Sequence, residues 1–167
     1  MRASVGNTRW FGSSSAKRYD VSYITSIDEH EDPRTLTRAK AILSVGHGEY
    51  WSWQMRANVT AARDKGVNLG FFSADVCYWQ IRLEADSAGN PDRTQVCYKL
   101  DAPTSDPMAN TQYTTTLWRR NPVLPPEEAL VGAMFTADPV HADMMITNAG
   151  HWSLAETGFQ MGLCSAL

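Results

Sequence analysis

The sequence has little of what defines several common classes of protein. It contains no apolar run of about 18 residues, so we expect no membrane-spanning helix. Basic residues are not in excess, since 15 Lys and Arg stand against 18 Asp and Glu. The absence of a basic stripe argues against nucleic acid as a partner. The amino terminus lacks the apolar core of a secretory signal, and the chain has no internal repeat or low-complexity segment.

Cysteine is scarce. The three cysteines, Cys77, Cys97 and Cys164, have no spacing typical of a metal site. An odd number of cysteines without a secretory signal favours free thiols in a reducing compartment, which predicts a cytoplasmic protein. The alternative is a disulfide between Cys77 and Cys97 across neighbouring strands, if the protein is exported.

What is present is sufficient for a folded core. The 167 residues are 43% hydrophobic and 20% charged, which is typical of a globular chain of one domain. Six Trp, six Tyr and five Phe fit a protein that packs aromatic side chains around a cleft. Residues 1–16 are polar and rich in Gly and Ser, so they are interpreted as a loose segment. Residues 17–167 are interpreted as a single α/β domain.

The first half of the chain alternates strand and helix patterns over short connections. This order predicts a parallel sheet with right-handed crossovers. Gly and Pro positions, apolar runs and capping residues set the expected boundaries. The predicted elements are a strand at 21–27, a helix from Pro33 to Lys40 with Asp32 as N-cap, a strand at 41–45, a helix at 53–65 between the N-cap Ser52 and Gly66, and a strand at 67–72.

The second half predicts antiparallel structure. Alternating runs at 78–84 and 95–100 flank a turn-rich stretch, which indicates a β-hairpin. Further strands are predicted at 111–118, 130–135 and 144–147. Glu127 and Glu128 are expected at a solvent-exposed turn.

The most informative feature is the block GHGEYW at residues 46–51, where an apolar strand ends. Ligands in α/β sheets bind outside the carboxyl ends of strands, so polar residues here are candidates for a site. His47 and Glu49 are two positions apart and project to the same side of an extended backbone. Imidazole and carboxylate are suitable ligands for a first-row metal ion. Tyr50 and Trp51 are interpreted as packing residues.

The same block carries a resemblance to a known family. GHGEYW, the helix after it, the Gly-Val-Asn-Leu strand at 66–69 and the Tyr-Trp-x-x-Arg segment at 78–82 resemble the large (beta) subunit family of N,N-dimethylformamidase. Supporting matches lie at 19–25, 117–119, 126–132 and 147–152, so that the resemblance spans about residues 17–162. The chain resembles a fragment of the C-terminal, catalytic domain, truncated relative to the family.

The resemblance implies a fold and an activity. The fold is a class I glutamine-amidotransferase-like (flavodoxin-like) core with additional β-hairpins. The activity is iron-dependent hydrolysis of the C–N bond of a small amide, with Glu49 as a ligand of a mononuclear iron and His47 as a catalytic residue that orients or moves a proton. Asp75 takes the place of a family asparagine that positions the substrate amide. An ionised aspartate only accepts hydrogen bonds, whereas asparagine also donates them.

The departures from the family are equally informative. The two tyrosine ligands and the second catalytic glutamate of the family have no counterpart here, so the isolated chain is expected to bind iron weakly and to be inactive. Expected partners are a small amide substrate and a small subunit or a second copy of the chain. Two alternatives remain: a non-catalytic binding or structural relative, and a carbohydrate-related amidotransferase-like domain, with which six tryptophans are compatible.

Overall fold

The structure is a computed structural model that describes residues 2–4 and 19–164. It divides into two compact units, one ending at Phe135 and the other beginning at Thr136. The strands are β1 (Arg2–Ser4), β2 (Ser22–Ile24), β3 (Ala41–His47), β4 (Tyr50–Ser52), β5 (Asn68–Ala74), β6 (Trp79–Glu84), β7 (Thr94–Val96), β8 (Met144–Ile146) and β9 (Gly162–Cys164). The helices are α1 (Ser26–Glu31), α2 (Arg34–Thr37), α3 (Trp53–Asp64), α4 (Ala102–Ser105) and α5 (Glu128–Val131), with 3₁₀ turns at Lys99–Asp101 and Trp152–Leu154.

A parallel sheet of four strands, in the order β2-β1-β3-β5, forms the centre of the first unit. β3 and β5 pair over seven positions, from Ala41 opposite Asn68 to His47 opposite Ala74. The predicted parallel sheet is confirmed, and so is the expectation that these two strands lie side by side. β1 lies in the segment expected to be loose, whereas residues 5–16 of that segment lie outside the described residues. The proposal of a single domain from residue 17 onward stays a prediction.

The helix between β3 and β5 follows from its sequence. The hydroxyl of Ser52 accepts a hydrogen bond from the Met55 N–H, as predicted for the N-cap of α3. Gly66 adopts a φ of +89° directly after the helix, in the left-handed region that glycine favours. The buried face of α3 carries Met55, Val59 and Ala62, which pack in the core. The other core residues of the first unit are Ile24, Leu36, Ile42, Trp51, Val67, Val76, Cys77, Trp118, Val123 and Leu130.

The first unit contains a second, smaller sheet of three strands in the order β4-β6-β7. β4 pairs in parallel with β6, and β6 pairs with the antiparallel β7. The predicted hairpin is therefore confirmed, although its second strand ends at Val96 and a 3₁₀ turn follows. In the second unit, β8 and β9 form an antiparallel pair, with Met145 opposite Leu163.

Several predicted elements were wrong. The alternating stretch 21–27 contains only the short β2, because Thr25 caps α1 instead of continuing the strand. Residues 111–118 form no strand beyond a single bridge between Leu117 and Trp79. Residues 128–131 are helical, and Gly132 ends this helix with a φ of +79°. The short helix near residue 33 begins one position later than predicted, with Pro33 in the N-cap position.

Two further predictions concern cysteine and membranes. Cys77 is buried and Cys97 half-buried, and both are free thiols. The Cys164 side chain lies outside the described part of the chain. None of the helices among the described residues combines the length and apolarity that crossing a membrane requires.

Candidate functional site

The GHGEYW block lies at the carboxyl edge of the parallel sheet. Gly46 has a φ of +100°, a conformation that a residue with a side chain rarely adopts. Gly48 packs closely against the sheet, since a Cβ atom here would stand 3.0 Å from the Ser44 Oγ. The loop between β3 and β4 therefore depends on glycine on both sides of His47.

Backbone hydrogen bonds fix this loop to the segment that follows β5. The Gly48 N–H donates to the Ser73 Oγ at 2.8 Å, and the Gly48 carbonyl accepts from the Cys77 N–H at 2.8 Å. The Glu49 carbonyl accepts from the N–H groups of Tyr78 and Trp79 at 3.0 and 2.9 Å. The two loops at the carboxyl ends of β3 and β5 thus form one structure.

One hydrogen bond orients the Glu49 side chain, and a lysine lies over two aromatic rings beside it. Its Oε1 accepts a hydrogen bond from the Trp79 indole N–H at 3.0 Å. The Lys99 ammonium lies 5.3 Å from the ring centre of Tyr50 and 5.4 Å from that of Trp79. A hydrogen bond with the Tyr50 side chain, and to a smaller extent the charge of Glu49, raises the pKa of Lys99 above its ordinary value.

His47 and Glu49 face one cavity of about 390 Å³, here named the His47 cavity. His47 is exposed and Glu49 half-buried. The structure thus brings together two residues that the sequence placed on the same side of the backbone. Other polar residues of the cavity are Ser26, Glu29, Ser44, Asp92, Arg93 and Gln95, and its apolar walls include Ile42, Val59, Leu69, Phe71, Ile81 and Leu83.

Asp75 lies elsewhere. It follows β5 with a φ of +49° and lines a second cavity of about 470 Å³ together with Tyr78 and Phe135. Its backbone is next to that of the GHGEYW loop, as expected from the strand order, but its side chain does not line the His47 cavity. The structure brings Asp75 and Glu127 to the same cavity instead.

The expectation of an exposed Glu127 was wrong, while that of an exposed Glu128 was right. Glu127 is only 2% exposed, and one of its carboxylate oxygens forms an ion pair with the Arg119 guanidinium. Arg119 in turn donates to the Phe135 carbonyl and lies over the Tyr78 ring. Glu127 is therefore a buried structural anchor for the segment around the second cavity.

An arrangement of Ser52, His30 and Asp92 has the composition of a hydrolase triad but not its accessibility. The His30 Nδ1 lies 2.7 Å from the Ser52 Oγ, and the His30 Nε2 lies 3.5 Å from Asp92. Ser52 is fully buried, and its hydroxyl already caps α3. No substrate can reach this oxygen without unfolding the start of the helix, so the three residues connect α1, α3 and the β6–β7 turn.

Glu29 and Lys99 are site residues that the sequence interpretation missed. Thr25 and Asp28 form a capping box at the start of α1, and this Thr-x-x-Asp pattern is a sequence signal for a helix that contains Glu29. Lys99 lies at the start of a 3₁₀ turn and itself has a φ of +56°. The residues next to it in sequence do not predict this conformation.

His151 belongs to the segment 147–152 that resembles the family. It lies exposed in the second unit, where its Nδ1 is 2.7 Å from the Ser153 hydroxyl, at the start of a 3₁₀ turn. The His151 side chain therefore caps the 3₁₀ turn that follows it.

The fold and the polar loop together define an α/β domain with a candidate site at the carboxyl edge of a parallel sheet. The sequence matches the family described as N,N-dimethylformamidase beta subunit-like, C-terminal, over residues 7–164, and the chain belongs to this family. No curated protein matches the chain.

Proposed function

We propose that this domain takes part in the hydrolysis of the C–N bond of a small amide. The observation that carries the proposal is the position of His47 and Glu49, from the block most typical of the family, in one cavity at the carboxyl edge of the sheet. His47 is exposed to the cavity, and its imidazole can accept a hydrogen bond at one ring nitrogen and donate one from the other. Asp75, whose side chain lines the second cavity on the other side of the same loop, is proposed to contact the substrate or the leaving amine from there. A glutamine-amidotransferase-like core is part of the proposal.

The described residues alone do not fit an iron ion. No group of three or more His, Cys, Asp or Glu side chains among them is placed to hold a metal. One oxygen of Glu49 already accepts the Trp79 N–H. Residues 1, 5–18 and 165–167 contain no histidine, cysteine, tyrosine, aspartate or glutamate. We therefore propose that Glu49 supplies one ligand and that a partner subunit or a second copy of the chain completes the site.

Metal analysis with an assay of amine release tests this proposal. The chain is purified from iron-supplemented cells, alone and together with the products of neighbouring genes, and dimethylamine release from N,N-dimethylformamide is measured. We expect the chain alone to contain little iron and to be inactive, because one carboxylate leaves most coordination positions to water. The joint preparation is expected to contain iron and to hydrolyse the amide.

Two variants test whether iron binding and amine release depend on Glu49 in particular. Glu49→Ala is expected to abolish both iron content and amine release in the joint preparation. Glu128→Ala, at an exposed position, is expected to leave both unchanged. Absence of amine release from every preparation would instead favour the alternative of a non-catalytic relative.

A further inference from the structure

Glu29 forms part of the wall of the His47 cavity, although it is almost completely buried. The residue is 6% exposed and lies in the first turn of α1. Thr25 and Asp28 already cap this helix, since the Thr25 hydroxyl accepts from the Asp28 N–H and the Asp28 carboxylate accepts from the Thr25 N–H. Helix capping therefore does not account for the Glu29 carboxyl group.

No hydrogen bond or ion pair to the Glu29 carboxyl group occurs among residues 2–4 and 19–164. The Glu29 oxygens are also not among the fully enclosed side-chain atoms that lack a partner, so they remain accessible from the cavity, where a bound molecule can reach them. The titratable and charged groups around it come from three elements. They are Asp28 and His30 on its own helix, His47 and Glu49 in the β3–β4 segment, and Asp92 and Arg93 in the β6–β7 turn.

These neighbours have partners of their own. His30 bonds Ser52 and Asp92, Glu49 bonds Trp79, and Arg93 lies 4.0 Å from Glu31. Burial, with a smaller contribution from Asp28, raises the pKa of Glu29 to about 7. A large fraction of the carboxyl group is then protonated at neutral pH and can donate a hydrogen bond.

The rest of the cavity limits the kind of molecule that fits. Ile42, Leu69, Phe71 and Ile81 provide an apolar surface next to the carboxyl group. A volume of about 390 Å³ accommodates a molecule of a few heavy atoms. The apolar wall beside the Glu29 carboxyl group is complementary to a neutral molecule that has alkyl groups and a strong acceptor, and the polar side chains of Ser26, Ser44, Arg93 and Gln95 line other parts of the cavity.

We propose that Glu29 is a ligand-binding residue whose protonated carboxyl group donates a hydrogen bond to the carbonyl oxygen of a small alkyl amide in the His47 cavity. The choice of an amide rests on the proposed function, whereas the role of Glu29 rests on its burial and on its free hydrogen-bonding capacity. Binding requires neither a metal nor turnover. A chain that binds the amide through Glu29 but never hydrolyses it contradicts the proposed function and not this inference.

The test is a titration of the 167-residue chain with N,N-dimethylacetamide, followed by NMR chemical shifts at pH 5.5 and pH 8.5. With a pKa of about 7, nearly all of Glu29 is protonated at the lower pH and about 3% at the higher. Since only the competent fraction binds, we expect the affinity to be about 30-fold weaker at pH 8.5. Absence of binding at both pH values would overturn the proposal.

Three variants assign the pH dependence to a residue. Glu29→Gln keeps a donor at every pH, so binding should persist and lose its pH dependence. Glu29→Leu keeps the volume but removes the donor, so binding should weaken at pH 5.5 to the level of pH 8.5 or below. His47→Asn removes the imidazole that lines the same cavity, and the pH dependence should remain. A pH dependence that disappears in His47→Asn and survives in Glu29→Gln would contradict the inference.

A second measurement needs no variant. In the native chain with ¹³C-labelled glutamate, the midpoint of the Glu29 carboxyl titration should rise when the amide is added, because the ligand binds the protonated form. An unchanged midpoint at a saturating amide concentration would overturn the proposal even if every Glu29 variant failed to fold.

Discussion

Trp79 holds Glu49 through both its backbone and its side chain. The Trp79 N–H donates to the Glu49 carbonyl at 2.9 Å, and the indole N–H donates to the Glu49 Oε1 at 3.0 Å. Trp79 is 8% exposed, and its ring lies edge-on to Tyr78 at 5.1 Å between ring centres. Trp79 is therefore a buried residue that also orients the carboxyl group of the candidate site.

A double-mutant cycle of Trp79→Phe and Glu49→Ala should show a coupling of about 1 to 2 kcal/mol in the free energy of unfolding. Hydrogen bonds to a charged partner contribute about this much in a partly buried setting. Urea denaturation of the native chain, the two single variants and the double variant gives the coupling. The same cycle with Trp53→Phe, whose ring contacts Trp118 and Tyr113, should give a value near zero. Equal couplings in the two cycles would contradict a specific bond.

Asp106 should stabilise the protein above about pH 4 and lose this effect as the pH falls to 2. Burial alone would raise its pKa, but hydrogen bonds from the Arg82 guanidinium and from the N–H groups of Thr115 and Met108 hold it at about 2, below the ordinary 3.8. The unfolded chain therefore takes up the proton first as the pH falls, and the difference corresponds to about 2 kcal/mol.

The variant Asp106→Asn is accordingly expected to lower the free energy of unfolding at pH 7 by about 3 kcal/mol, since it removes the buried one of the two carboxylates that pair with the Arg82 guanidinium and weakens the hydrogen bonds from Thr115 and Met108. The deficit should shrink below pH 3. Asp101→Asn, at an exposed position five residues earlier, should change stability by less than about 0.5 kcal/mol. A deficit that is independent of pH down to 2 would show that the charge is not responsible.

Glu29 should have the opposite effect on stability. Its pKa is about 7 in the folded protein and 4.5 ordinarily, so the folded state holds the proton more tightly. Stability should therefore fall as the pH rises from about 4.5 to about 7, by as much as about 3 kcal/mol. Glu29→Gln should be more stable than the native chain at pH 8 and lose this advantage near pH 4.5, as measured by urea denaturation. A Glu29→Gln advantage that grows as the pH falls would contradict this assignment.

The parts of the fold that the sequence predicted well are those determined by local patterns. The apolar run from Ile42 to Val45, the cap at Ser52 and the stop at Gly66 each act over a few residues, and the structure confirms the strand, the helix and the parallel order. The spacing of two positions between His47 and Glu49 is a local pattern of the same kind, and both residues line one cavity. In each case the backbone alone determines the geometry.

The failures have a common physical cause in tertiary contacts. The β-branched run at 114–116 has the composition of a strand, but the Thr115 hydroxyl and N–H both donate to Asp106 instead of extending a sheet. α1 is only six residues long, too short for a helical period to show against the alternation before it. The environments of Asp75 and Glu29 depend on which distant segments face them, and no local pattern encodes this.

Glu127 and its neighbour Glu128 are the same residue type in opposite environments, so they should differ in their contribution to stability. Glu127 is buried and paired with Arg119, whereas Glu128 is exposed at the start of α5. Glu127→Ala should reduce the free energy of unfolding by about 3 to 5 kcal/mol, because it leaves the Arg119 charge without its partner, and Glu128→Ala should cost less than about 1 kcal/mol. Chemical denaturation measures both.

A double variant tests whether the ion pair is responsible. Arg119→Met alone should also destabilise, but Arg119→Met combined with Glu127→Leu should recover most of the loss, since the removal of both charges leaves no buried ion. Additive losses in the double variant would mean that Glu127 stabilises this segment through contacts other than the ion pair.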